Sequence, residues 1–283
     1  TAILGYGFPE ASFMRGIAEG PDLVAVDAGS VDPGPYYLGS GKPFTDRVGV
    51  KRDLRYMLKE SQKRNIPVMI GTAGGSGAKP HLDWCEQIIR EIAREEKLSF
   101  RMAIIPADID KQVIDEAIDQ GRTHVLSHTA PLTHQDVSDA SFIVAQMGVE
   151  PFIEAYKRGC QVVLAGRAYD PSPFAALPIH LGYSPALALH LGKILECAAI
   201  AAEPGSGADC VLGILKENSF VLKPLNPERR FTRESTAAHS LYEKSDPYAL
   251  PGPGGTLDLT AVQFRDIGDG QVEVSGTRFV PAN

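Results

Sequence analysis

The sequence predicts an α/β protein: a mainly parallel sheet with helices on both faces, then a C-terminal mixed α+β segment with a β-hairpin. Three observations predict it. Short apolar, β-branched runs alternate with amphipathic stretches through the first two thirds. Some of those stretches open on proline, which the first turn of a helix tolerates. The last third changes to short alternating runs broken by Gly and Pro. Strands are expected at residues 22–26, 66–70, 100–105 and 161–164. Helices are expected at 9–19, 47–64, 80–97, 110–120 and 151–157, where apolar residues such as Ile88, Ile89 and Ile92 recur at helical spacing. A long apolar helix over 184–203 precedes strands near 210–215 and 220–222. The alternating runs 257–264 and 271–274 flank Gly268-Asp269-Gly270, a hairpin turn. A boundary near residue 205 divides an α/β core (1–204) from a C-terminal subdomain (205–283).

Composition narrows the function classes. The formal charge is −7, with 28 basic and 35 acidic side chains and no basic run, so nucleic acid is not an expected partner. The apolar stretch 187–202 carries His190, Lys193 and Glu196, so no membrane span is expected. Four dispersed cysteines without a CxxC pair fit a reducing cytoplasm rather than a disulfide framework. A start at Thr1 leads us to expect that the chain is trimmed.

In open parallel sheets a site forms beyond the carboxyl ends of the strands. The first strand candidate runs into Asp27 and Asp32, and the third into Asp108. The fourth runs into Arg167 and Asp170, and the second into the glycine-rich stretch Gly71, Thr72, Gly74, Gly75, Ser76 and Gly77. The carboxylates are candidate general bases or ligands for a divalent cation. Asp27, ending the apolar run 23–26, is placed in a rigid central strand. The 71–77 stretch offers backbone N–H groups to an anion or developing oxyanion, although a tight turn would also use glycine. It matches neither dinucleotide nor triphosphate fingerprints, so no NAD or flavin is expected. Ser76 lies in a near-match to a nucleophile elbow, with His239 as a conceivable base. Arg167 suits a substrate carboxylate or a lock on Asp170. Arg229, Arg230 and His239 form a second anion clamp or surface decoration. His124 and His128 have helical spacing in a loop-like context. Glu196 is either paired structurally or catalytic.

The strings DAGSVDPGPYYLGSGK, GTAGGSGAKPHLDW, VAQMGVEPFIEA, ILECAAIAAEPGSGADC, PLNPERR and AAHSLYEKSDPY resemble the acyclic terpene utilisation protein A family, over essentially the whole chain. The resemblance implies a chain continuing past Asn283. It also implies a role in degrading branched terpenoid acids as coenzyme A thioesters, with a lyase acting on a branched hydroxyglutaryl thioester. Relatives in that family often have cysteine where this chain has Tyr169 and Phe231, so a cysteine mechanism is not carried over. The expectation is a cytoplasmic, homo-oligomeric lyase acting on a small carboxylate or acyl-CoA. The alternatives are a Ser76 hydrolase and a non-catalytic thioester-binding scaffold.

Overall fold

A computed structural model describes residues 1–30, 34–125, 129–242 and 246–282. In chain order the first part contains α1 (Glu10–Ala18), β1 (Val24–Asp27), α2 (Tyr36–Ser40), α3 (Arg47–Gln62), β2 (Val68–Gly71), α4 (Lys79–Glu95), β3 (Met102–Ile105), α5 (Lys111–Asp119), α6 (His134–Asp139), α7 (Glu150–Lys157), β4 (Val162–Ala165), α8 (Ser172–His180) and α9 (Pro185–Leu195). The four strands are parallel in the order β1-β2-β4-β3.

Strand alternation explains the two helical layers. Val68, Ile70, Val162 and Leu164 point to one face, where Leu54, Met57 and Leu58 of α3 and Ile88, Ile89 and Ile92 of α4 cover them. Met69, Val163 and Ala165 point to the other, against Phe152 of α7 and Ala176 and Leu177 of α8. Aspartates start two of the helices: Asp46 accepts from the amides of Val48 and Gly49, and Asp110 from that of Gln112.

Then follow β5 (Val211–Leu215), β6 (Ser219–Pro224), α10 (Arg233–His239), β7 (Ala249–Gly252), β8 (Gly255–Asp258), β9 (Gln263–Gly268), β10 (Gln271–Ser275) and β11 (Arg278–Pro281). They build two antiparallel sheets, β5-β6-β10-β9 and β11-β8-β7. The packing crosses residue 205: Leu187, Leu191 and Ile194 of α9 bury against Phe220, Leu222, Val272 and Val274.

Three expectations change. β1 is an edge strand, not a central one; residues 1–4 cover its free side, with the Thr1 amine donating to Ala25 O at 2.6 Å. The helix expected to reach 203 stops at Leu195, and Ala198 takes a left-handed φ of 55° in the turns that follow. The run 257–264 splits between two sheets, because β8 joins β7 and β11 while β9 forms the hairpin with β10. Among the described residues no helix is long and apolar enough to cross a membrane.

Candidate functional site

Parallel register sets the site's position. Asp27 pairs with Gly71, and Ile105 with Ala165, so all four strands end on one line. The loops beyond it are tied together. Gly166 N donates to Ile105 O at 2.8 Å, Thr72 N to Gly166 O at 3.1 Å, and Arg167 N to Gly77 O at 3.2 Å. Thr72, fully buried with φ 47°, is held there by its hydroxyl, which bonds the N–H and C=O of Ala168 at 3.2 and 3.3 Å.

Behind these loops lies a charge cluster in which Lys193 and Glu196 are buried and Arg167 and Asp170 half-buried. Lys193 Nζ, on α9, sits 2.6 Å from Glu196 Oε1 and 3.4 Å from Asp170 Oδ2. Arg167 reaches Asp170 Oδ1 at 3.3 Å. Asp27 is 4% exposed; Oδ2 accepts from the Gly29 amide at 3.1 Å, whereas Oδ1 is buried with no hydrogen-bond partner among the described residues. The two cations already balance Asp170 and Glu196, so an ionised Asp27 would leave excess negative charge out of water.

Burial first, then the charges of Asp170 and Glu196, push the Asp27 carboxyl well above the usual carboxylate range; Arg167 and the Gly29 amide oppose this. Burial also lifts Glu196, to about 6, against the pull of Lys193. Burial disfavours the Lys193 ammonium, but Glu196 and Asp170 outweigh it and keep it charged. Asp27 and Glu196 are therefore the carboxyls of the cluster whose surroundings favour the protonated form.

The other expected residues divide. Gly71 faces Asp27, and a Cβ there would approach Asp27 Oδ1 to 3.2 Å and Pro173 to 3.0 Å. Gly77, at φ 74°, leaves no room at all: its Cβ would lie 2.1 Å from Arg167 N. Gly74 packs against His81 and Gly75 against Phe44. The amides of Gly75 and Gly77 bond Thr72 O and Ala73 O, so close packing accounts for much of this loop's glycine. Ser76 is half-buried. Asp108 is exposed and accepts from the Lys79 amide at 3.1 Å, at the start of α4 rather than in the charge cluster.

Arg229 is bound to buried Asp209 at 2.8 Å and to the Pro204 carbonyl. Arg230 pairs with Glu203 at the surface at 3.3 Å. His239 is buried on α10, its ring 5.7 Å from that of Tyr242. None of these contacts is with the Asp27 cluster. His124 is exposed, and Asp32 and His128 lie outside the described residues. Among the described residues no group of three His, Cys, Asp or Glu side chains is arranged to hold a metal ion.

Sequence reasoning left Lys193 out and gave Glu196 no partner. The signal was present: two charges three residues apart in an otherwise apolar helix share a face and must neutralise each other. An apolar groove of about 400 Å³ lies elsewhere, between the first half of β1, α1, α8, α9 and β5. It carries no such cluster.

The family model described as acyclic terpene utilisation family protein AtuA matches residues 47–208, more than half of the chain. That span includes the 71–77 loop, Arg167, Asp170, Lys193 and Glu196; Asp27 precedes it. No curated protein and no solved structure matches the chain.

Proposed function

The chain belongs to the acyclic terpene utilisation family, and from that premise we propose that it is a lyase cleaving a carbon–carbon bond in a branched, carboxylated acyl thioester. One observation carries the reading: Asp27 is a buried carboxyl with a raised proton affinity, beside Arg167, Asp170, Lys193 and Glu196 at the strand ends. Perturbed acids in such positions are candidate acid–base groups.

The chemistry balances with this one group. Asp27 as carboxylate takes the proton of the substrate's 3-hydroxyl. The adjacent carbon–carbon bond breaks, its electron pair moving to the thioester as an enolate, and the hydroxyl carbon becomes a carbonyl. Asp27 then returns the proton to the enolate carbon. A raised proton affinity suits both steps, because a weakly basic carboxylate would take a hydroxyl proton poorly.

Arg167 is the binding group. Its one guanidinium hydrogen bond among the described residues is to Asp170, which leaves most of its planar fork for a substrate carboxylate. The reaction moves no hydride, so it calls for neither nicotinamide nor flavin.

The test is direct. Purified protein is incubated with 3-hydroxy-3-methylglutaryl-CoA and longer branched homologues, and carbonyl and acyl-CoA products are followed by mass spectrometry. Conversion that falls about 10²–10⁴-fold in Asp27→Asn supports the reading. Conversion equal in wild type and variant, or none with any homologue, overturns it.

A further inference from the structure

Tyr169 lies between Arg167 and Asp170 and is 9% exposed, yet its hydroxyl is buried with no hydrogen-bond partner among the described residues. A buried phenol ordinarily finds a partner, and leaving one unmade costs about 1–3 kcal/mol. The backbone around it is fixed: Tyr169 N donates to Met147 O at 2.9 Å, and Ser172 N to Tyr169 O at 2.7 Å. The ring packs with Ala175, Leu189, Leu250 and Leu257, a job phenylalanine would do without burying an oxygen.

A second element makes room for that oxygen. Gly252 ends β7, in the C-terminal part of the chain, and its backbone is not in the left-handed region. Glycine is needed there for space. A Cβ would stand 2.8 Å from Cε1 and Cζ of Tyr169 and 3.0 Å from its hydroxyl oxygen.

We propose that Tyr169 is a second substrate-binding group of this site, its hydroxyl donating a hydrogen bond to the thioester carbonyl oxygen that becomes the enolate oxygen. Gly252 sets the phenol's position. The inference rests on the proposed function and names the donor that function needs, since an enolate oxygen forming out of water requires a preorganised hydrogen bond. The hydroxyl stays a donor at neutral pH: burial, with Asp170 and Glu196, pushes it up to about 12 against the pull of Lys193. The phenol and Asp27 thus divide the work, one steadying the oxygen and the other moving the proton.

The test uses wild type, Tyr169→Phe and Gly252→Ala, with 3-hydroxy-3-methylglutaryl-CoA as probe. Calorimetry gives Kd, turnover gives kcat, and NMR of protein labelled at tyrosine Cζ gives a resonance assigned to Tyr169 by its loss in Tyr169→Phe. The proposal expects that resonance to move when the probe binds. It expects kcat to fall at least about tenfold in Tyr169→Phe, while Tm stays level or rises because no structural bond is lost. Gly252→Ala, which displaces the ring, should lower kcat likewise. An unmoved resonance with wild-type kcat in both variants overturns the role of Tyr169 and leaves that of Asp27 standing. A wild-type protein that neither binds nor converts the probe overturns both.

Discussion

Asp27 and Gly71 face each other at the ends of β1 and β2, and a Cβ on Gly71 would come within 3.2 Å of Asp27 Oδ1. The carboxyl is thus walled in by backbone on one side and by the Arg167–Asp170–Lys193–Glu196 charges on the other. Its proton affinity is set by that enclosure.

Enclosure makes stability depend on pH. A group whose proton affinity is raised by folding supports the folded state fully at low pH, and that support is lost as pH rises through its folded value. Asp27→Asn keeps the Gly29 bond and removes the titration. Its Tm should match wild type near pH 4 and exceed it by a growing margin as pH rises above the usual carboxylate range. Parallel melting curves of the two proteins would reject the enclosure.

Lys193 is the counter-charge for buried Glu196 and half-buried Asp170. Lys193→Met should cost about 3–5 kcal/mol near neutral pH, the usual penalty for stranding one side of a buried pair. The loss should shrink toward about pH 5, where Glu196 takes up a proton. Denaturant titrations at the two pH values measure it, and a pH-independent loss below 1 kcal/mol would remove Lys193 from the cluster.

The glycine-rich loop separates close packing from nucleophilic chemistry. Gly77→Ala should destabilise by well over about 1 kcal/mol, since φ 74° and a 2.1 Å approach to Arg167 N both oppose a side chain. Ser76→Ala should fold normally and keep most activity. A loss near 10⁶-fold in Ser76→Ala would restore the hydrolase alternative.

The two adjacent arginines should behave differently. Arg229→Ala strands the fully buried Asp209 and should lower Tm by several degrees, whereas Arg230→Ala touches an exposed pair and should stay within about 0.5 kcal/mol of wild type. Equal effects would contradict these assignments.

The parallel sheet was legible because each strand is an apolar run ending abruptly at Asp27, Gly71, Ile105 or Ala165, with a helix after it. Strand order was not, and so an edge strand was read as central: the apolar run of β1 is buried because residues 1–4 cover it, which no local pattern records. The site was half legible. Asp27, Arg167 and Asp170 follow strands and announce themselves, while Lys193 and Glu196 arrive from a helix read as core and Gly252 from a separate sheet. Arg229 read as a clamp because sequence cannot show that Asp209 is buried beneath it.

The central claim is that folding raises the proton affinity of Asp27 well above the usual carboxylate range. The infrared difference spectrum of wild type minus Asp27→Asn tests it most directly. The account predicts a protonated-carboxyl C=O band in wild type at about pH 6, where an ordinary aspartate is ionised, that the variant lacks and that declines as pH is raised further. A carboxylate band in its place at that pH, with no protonated band down to about pH 5, would contradict it.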